Sequence, residues 1–333
     1  MQKVKIISAL LLFLSFAAKS QSVIPLQSGK LTSIRGLSVV DDHIAWLSGS
    51  KGTVAFTLDG GKSWSWQQIK GYEKSDFRDI EAFSDKEAII MSSGSPAYIL
   101  KTTDGGITWA KKFEQADTTY FLDAMDFKDP AHGFVLGDPI NGKFLLLKTD
   151  NGGETWSPAQ NSPDAYKNEA AFAASGTCIR TTKSNIVIVS GGAKSRLISS
   201  NDGGNNWHYT ELPLTDGTPS RGAFSVALDD KPKVVVGGNY AKDKIKDSVA
   251  VLLNKKNKLL FPSIGPDGFQ SSVEHIKANV YLSTGTSGTN ISTDGGNTWK
   301  KIDDKSYNVC RKAKNGKLVL LAGDRGSVGL FKF

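Results

Sequence analysis

The chain has 333 residues with 41 basic and 33 acidic side chains, a formal net charge of +8. Lysines and acids alternate along most of it, and neither a basic tail nor an arginine-rich helix suggests a nucleic-acid partner. The four histidines are isolated and neither H-x-x-x-H nor C-x-x-C spacing occurs, so we expect no metal and no cofactor.

Residues 1–20 are predicted to form a signal peptide. Lys3 and Lys5 precede an apolar run over residues 6–18, shorter than the roughly 20 residues of a membrane span. Ala18-Lys19-Ser20 then resembles a cleavage site. We therefore expect an exported monomer, periplasmic or secreted, whose mature chain begins near Gln21 and forms one domain over residues 21–333, with no membrane span.

An octet of the form [ST]-x-[DN]-G-G-x-x-W occurs five times. Its key residues are Asp59 and Trp64, Asp104 and Trp109, Asn151 and Trp156, Asp202 and Trp207, and Asp294 and Trp299. The tryptophans are 45, 47, 51 and 92 residues apart, which predicts one degenerate copy in the long interval. A period of roughly 40 to 50 residues is typical of a four-stranded propeller blade.

A second signature counts the repeats. Two apolar strands flank a glycine turn seven times, at Gly49, Gly94, Gly137, Gly191, Gly237, Gly285 and Gly323. The fifth repeat has lost its octet near Asn254. We predict an all-β, seven-bladed propeller of four-stranded antiparallel blades. Because the last repeat stops at Phe333, one strand short, residues 23–27 are expected to supply its outer strand and close the ring.

The octets are interpreted as scaffold. Their Asp or Asn side chain can accept hydrogen bonds from its own turn, the glycines permit positive φ, and the tryptophan can pack between neighbouring sheets. One carboxylate or amide per turn is too few oxygens for calcium.

These octets resemble the Asp-box, or BNR, repeat. The longer stretch "GSKGTVAFTLDGGKSW" resembles the repeat of propellers related to the photosystem II stability/assembly factor. The resemblance implies the propeller fold but says little about function, since Asp boxes occur in sialidases, other glycosidases, sorting receptors and assembly factors.

The candidate site lies on the first, innermost strand of each repeat, where five of the seven arginines fall. Arginines that converge on one mouth of the channel would bind an anion. Alternatively, each pairs with a local acid in a channel network. Channel-mouth candidates are Arg35, Arg78, Asp79, Asp123, Glu169, Arg180, Arg221 and Tyr240, with Arg311 and Glu81 nearby in the same segments.

We predict an exported, non-catalytic binding or assembly scaffold whose partner is a protein or an anionic ligand, such as a glycan or an acidic peptide. The alternative is a glycoside hydrolase of the sialidase type, with Tyr240 as nucleophile and Glu169 as base. A plain protein-interaction ring without a small-molecule site is a third possibility.

Three further residues have predicted structural roles. Cys178 and Cys310 fall in repeats four and seven, on opposite sides of a ring, so we expect two free, buried thiols. Trp46, in an apolar strand, is expected in the core.

Overall fold

The computed structural model describes residues 21–229, 231–254, 256 and 258–333. The predicted signal peptide lies outside these residues. Strand β1 (Ser22–Gln27) opens the described chain. Seven antiparallel sheets follow one another around a ring. The strands of a blade run outward from the channel in sequence order, except that β1 is the outermost strand of the last sheet and one sheet carries two extra strands beside its first strand.

The first three blades each contain four strands. Blade one contains β2 (Ile34–Val39), β3 (Ala45–Gly49), β4 (Thr53–Thr57) and β5 (Ser65–Gln68). Blade two contains β6 (Asp76–Ala82), β7 (Ala88–Ser93), β8 (Ala97–Thr102) and β9 (Ala110–Gln115). Blade three contains β10 (Leu122–Phe127), β11 (Gly133–Ile140), β12 (Lys143–Thr149) and β13 (Ser157–Pro158).

Blades four and five share a short extension. It consists of β14 (Glu169–Ala170) and β17 (Gly191–Gly192). Blade four contains β15 (Ile179–Thr181), β16 (Ile186–Val189), β18 (Arg196–Ser200) and β19 (His208–Glu211). Blade five contains β20 (Arg221–Asp229), β21 (Lys231–Asn239), β22 (Ala250–Leu253) and β23 (Leu259–Leu260), with a 3₁₀ turn, Tyr240–Lys242, after β21. The extension joins β20 where Gly191 pairs with Gly222, so this sheet has six strands.

The last two blades complete the circle. Blade six contains β24 (Ser272–Lys277), β25 (Val280–Gly285), β26 (Gly288–Ser292) and β27 (Lys300–Asp303). Blade seven contains β28 (Val309–Lys312), β29 (Val319–Gly323) and β30 (Ser327–Lys332). Each innermost strand contacts the next, from β2 through β6, β10, β15, β20, β24 and β28 back to β2. The predicted seven-bladed all-β propeller is confirmed.

The N-terminal strand closes the ring as predicted. β1 pairs antiparallel with β30, with Ser22 opposite Lys332 and Ile24 opposite Leu330, and becomes the outer strand of blade seven. The C-terminal strand therefore has a hydrogen-bonded neighbour on both sides.

The octets form the turns between the third and fourth strands of their blades. In the second one, the Thr102 hydroxyl donates to Asp104 at 2.8 Å and accepts from the Gly106 amide at 2.9 Å, while Asp104 accepts from the Thr108 amide at 2.9 Å. Asn151 has the same role in the third octet. In blade five, which lost the octet, the Asn254 side chain still accepts from two amides of its turn.

The octet tryptophans pack between neighbouring sheets. Trp64 contacts the apolar cluster shared by blades one and seven, and Trp109 the cluster shared by blades one and two. Trp46 is fully buried beside Trp109, as expected. Cys178 and Cys310 are both free and buried, as predicted. Burial raises the pKa of the Cys310 thiol to about 12, so it stays protonated.

Replacing Asp104 tests the octet as scaffold. Hydrogen bonds from the Thr108 side chain and amide lower the pKa of Asp104 to about 2. Its contribution to stability is therefore present above about pH 4 and is lost as the pH falls towards about 2. We expect Asp104→Ala to lower the Tm by roughly 2–4 °C at pH 7, measured by calorimetry.

Asp104→Asn is the matched control, because the chain itself uses Asn151 in the third octet. This variant should lose less of the Tm at pH 7 and show a shallower acid-dependent decline between about pH 4 and pH 2 than the wild type. If the two variants melt together at pH 7, the side-chain hydrogen bonds do not hold the turn.

Candidate functional site at the two mouths of the channel

The innermost strands all run in the same direction along the channel. The hydrogen bonds between blades seven and one show this, because later residues of one blade contact later residues of the other. In order, Asn308 donates to the Ile34 carbonyl, Arg311 to that of Leu37 and Lys314 to that of Val39. We call the end where these strands begin the first mouth and the end where they finish the second mouth. The octet turns lie on the same side as the second mouth. There the backbone carbonyl of His43, in the turn after β2, accepts a hydrogen bond from the Gly60 amide.

Two of the predicted arginines lie at the first mouth. Arg78 pairs with Asp76 at 2.7 Å, and its guanidinium also lies 5.8 Å from the ring centre of Phe121. Arg35 is partly buried, and burial followed by the nearby charge of Arg78 lowers its pKa. Asp324 of blade seven, which accepts a hydrogen bond from the Ser33 hydroxyl, has the opposite effect, because its negative charge raises the pKa of Arg35.

A segment of blade four, residues 171–177, crosses the channel below this mouth. On one side its carbonyl groups accept hydrogen bonds from the two arginines of the mouth. Arg78 donates to Ala173 at 3.5 Å, and Arg35 donates to Ala174 at 3.4 Å. On the other side Ser175 donates to the Ser271 carbonyl at 2.7 Å. The segment therefore connects blades one and two to blade six and separates the two mouths.

Glycine is needed where this segment passes blade two. Gly176 has a φ of +65°, and a Cβ at this position would lie 2.2 Å from a carboxylate oxygen of Asp79. Asp79 is buried, and both of its oxygens accept backbone amides, from Ile80 at 2.8 Å and Met125 at 2.7 Å. Because these hydrogen bonds lie within the wall of the channel, Asp79 stabilises the wall and does not face an open mouth.

Asp123 has a different environment. It is 1% exposed, and neither carboxylate oxygen has a well-formed hydrogen bond to a described residue, although the Ala173 amide lies close enough to favour the charged form weakly. Burial, and then the nearby charge of Asp138, raises its pKa well above the usual range, while Arg78 acts in the opposite direction. Burial also raises the pKa of Asp138 to about 6. Asp123 and Asp138, on this side of the first mouth, therefore keep their protons to a higher pH than ordinary carboxylates do.

The residues of the sialidase alternative have other partners. Glu169 is buried and accepts from Arg196 at 2.7 and 2.6 Å and from the Ser190 hydroxyl. Tyr240 is 52% exposed, and its ring lies against Phe224 and Phe269. These contacts give Glu169 and Tyr240 separate partners.

The other predicted arginines are separate from this pair. Arg221 begins β20 at the first-mouth end of blade five, is partly exposed, and forms no ion pair with any residue that the structure describes. Arg180 lies at the second mouth, where it donates to Glu274 at 2.8 Å. There Lys314 pairs with Glu81. The arginines are thus divided between the two ends of the channel.

Sequence reasoning missed several residues of these mouths. Asp76, the first residue of β6, and Asp324, in the turn after β29, were not singled out because they match no motif. The channel-crossing segment, "AFAASGT", consists of small residues apart from Phe172 and has no periodicity. Nothing in it indicates that its carbonyl groups meet two arginines.

The described residues contain no group of three or more His, Cys, Asp or Glu side chains placed to hold a metal ion. Nor do they include a helix with the length and apolar character needed to cross a membrane.

Comparison with known proteins gives a consistent result. The family described as photosynthesis system II assembly factor YCF48 matches residues 19–117. The photosystem II assembly lipoprotein Ycf48 of Synechococcus sp. strain CC9902 is 23% identical over 240 residues, covering 61% of this chain and 68% of that protein.

Solved structures show the same fold. A structure of YCF48 bound to D1 peptide is 17% identical with a TM-score of 0.64, covering 94% of this chain and 95% of that one. YCF48 from Cyanidioschyzon merolae is 17% identical with a TM-score of 0.64, covering 93% and 98%. The RRP9 WD40 repeats are 11% identical with a TM-score of 0.66, covering 93% and 97%. At these identities the structural likeness shows the fold alone.

The chain is thus a β-propeller that resembles the photosystem II assembly factor family, and the resemblance indicated by its octets is confirmed. Ycf48 is a protein to which it is similar in sequence and also in fold.

The two buried aspartates are expected to respond oppositely to substitution. A raised pKa in the folded state means that stability is lost as the pH rises from about 4 through the folded-state pKa. Asp123→Asn removes an unpaired carboxylate, so it should raise the Tm by roughly 2–4 °C at pH 8 and leave it nearly unchanged at pH 4.

Asp79→Asn provides the contrast. Burial raises the pKa of Asp79 too, but both of its oxygens accept buried amides, and Asn leaves one of these without an acceptor. The variant should therefore lower the Tm at both pH values, and less at pH 8 than at pH 4, as measured by circular dichroism. A destabilised Asp123→Asn variant at pH 8 would show that Asp123 has a stabilising partner.

Proposed function

We propose that this propeller is a non-catalytic scaffold that binds an extended, acidic segment of a partner protein at its first mouth. Arg35 and Arg78 would receive the acidic group. The observation that carries the proposal is the environment of Arg35. Its one hydrogen bond to a described residue is with the Ala174 carbonyl, and no carboxylate of the described residues lies within ion-pair distance.

The charge balance at this mouth favours an anion. Removing a guanidinium from water is costly unless it is paired, and Arg35 lies close enough to Arg78 for the like charge to lower its pKa. Asp76 bonds Arg78, whereas Asp76 and Asp324 act on Arg35 only from beyond ion-pair distance. A carboxylate from a partner would give Arg35 the short, charge-assisted hydrogen bonds that no described carboxylate provides.

A groove leads away from the arginines. It has a volume of about 520 Å³ and lies between the loop after blade one and the loop that joins β7 and β8. Asp76 lines it, and so do Tyr72 and Tyr98, whose rings meet at right angles with centres 5.0 Å apart. Aromatic rings and exposed loop backbone suit an extended peptide, and Asp76 connects the groove to Arg78, with which it pairs.

The named relatives support this choice over catalysis. They are assembly factors, and one YCF48 was solved with a D1 peptide bound. A peptide-binding role for this chain is in keeping with that complex, while Glu169 and Tyr240 have separate partners.

The proposal extends to location. The predicted leader over residues 1–20 supports export, as does the description of the Synechococcus relative as a lipoprotein. We infer that the protein meets its partner outside the cytoplasm.

Peptide binding tests the arginines. The probes are fluorescein-labelled decapeptides that carry three or four Asp and Glu residues, with counterparts in which these are Asn and Gln. We expect the acidic peptides to bind at low ionic strength, and Arg35→Gln or Arg78→Gln to weaken binding about tenfold, measured by anisotropy. The exposed Arg325 provides the matched control, Arg325→Gln, which should bind as the wild type does.

Asp76→Asn makes the test sharper, because it should act in the opposite direction. This change removes the carboxylate that competes for Arg78, so acidic peptides should bind several-fold more tightly. Equal binding of acidic and neutral peptides, or weaker binding by Asp76→Asn, would contradict the proposal.

Export is tested separately. When the full-length gene product is expressed with its own leader in a bacterial host, we expect the periplasmic protein to begin at or near Gln21, as determined by intact mass. An uncleaved, cytoplasmic product would contradict export.

A further inference from the structure

The second mouth encloses a cavity that the peptide proposal does not use. It has a volume of about 410 Å³ and is lined by the last residues of the innermost strands. Four cationic side chains and three carboxylates line it, Arg180, Arg311, Lys312, Lys314, Glu81, Asp126 and Glu274. The cavity therefore has an excess of one positive charge at neutral pH if all seven groups are ionised.

All three carboxylates already have partners. Glu274 accepts from Arg180 at 2.8 Å, and Glu81 pairs with Lys314. Asp126 accepts from both the amide and the hydroxyl of Thr181, each at 2.6 Å. None of them forms an ion pair with Arg311.

Arg311 is the exception among these buried charges. It is 8% exposed, and its one hydrogen bond to a described residue runs from Nε to the Leu37 carbonyl at 3.3 Å. No described carboxylate lies within ion-pair distance of it. Its two terminal nitrogens thus keep their donor capacity on the wall of the cavity.

A neighbouring hydroxyl adds a further donor. Ser38 lines the cavity, is 2% exposed, and accepts from the Ala82 amide at 3.1 Å, so its own hydrogen remains available. Lys312 also lines the cavity and forms no ion pair with a described residue. A buried cation with unused parallel donors is the arrangement that recognises an oxyanion.

We propose that the second mouth is a binding site for a small oxyanion of the size of phosphate or sulfate, with Arg311 as its principal ligand. The site is separate from the first mouth, because residues 171–177 cross the channel between them. It is also independent of the proposed peptide binding, which uses Arg35 and Arg78.

The test is calorimetric titration of the mature protein with inorganic phosphate at low ionic strength, repeated with sulfate and with acetate. We expect one phosphate per chain, similar binding of sulfate, and weaker binding of acetate. Arg311→Gln should weaken phosphate binding at least tenfold, whereas Arg35→Gln and Arg325→Gln should leave it unchanged. No phosphate binding by the wild type, or equal loss with Arg35→Gln, would overturn the proposal.

A second measurement does not depend on a variant that folds. In amide NMR spectra of the wild type, phosphate should shift the resonances of Thr182 and Ala313, which line the cavity, and leave those of Ala173 and Ala174 unchanged. Shifts confined to Ala173 and Ala174 would place the anion at the first mouth and overturn the proposal. Arg311→Lys, which retains the charge, should keep more phosphate affinity than Arg311→Gln.

Discussion

The rest of the structure depends on the antiparallel pairing of β1 with β30. This pairing joins the two ends of the chain in one sheet, so blade seven has no exposed C-terminal edge. It also fixes blade seven against blade one, where Asn308 donates to the Ile34 carbonyl at 2.9 Å. Both proposed sites contain residues from this junction, Arg35 at one end of the channel and Arg311 at the other.

Blade five shows which parts of the repeat the fold needs. It has no octet and its outer strand contains only two residues, yet Asn254 still accepts two turn amides and the apolar strands are buried. One short polar side chain therefore still bonds across this turn, and blade five forms without the glycines and tryptophan of the octet. Because the stability of a repeat protein is approximately a sum over its repeats and their interfaces, the fold tolerates a weaker turn in one blade.

The fold was largely predictable from the sequence because its signals are local. Asp104 and its equivalents bond within their own turns, and the glycine turns recur once per blade, so counting them gave seven blades. The missing last strand likewise pointed to residues 23–27. Free cysteines followed from the blades to which Cys178 and Cys310 belong.

The site was less predictable because it depends on position along the channel and on distant partners. Arg78 and Arg180 both lie on innermost strands, but the first contacts Asp76 at one mouth and the second Glu274 at the other. The partner of Glu169 is Arg196, 27 residues away on a different strand. No motif encodes such pairs, and the channel-crossing segment has no periodic pattern.

The two mouths differ in a way that fits different ligands. At the first, the arginines meet carbonyl groups of a loop near a groove lined by aromatic rings; the second is a smaller cavity lined by charged side chains whose carboxylates already have partners. A long ligand suits the former and a small ion the latter.

Hydrogen–deuterium exchange of the mature protein, with and without a saturating acidic decapeptide, tests the central claim most directly. Binding at the first mouth predicts slower exchange in residues 71–76, 92–98 and 171–177, with the octet turns unchanged. Slower exchange confined to the octet turns or the outer strands, with those three segments unaffected, would contradict the account.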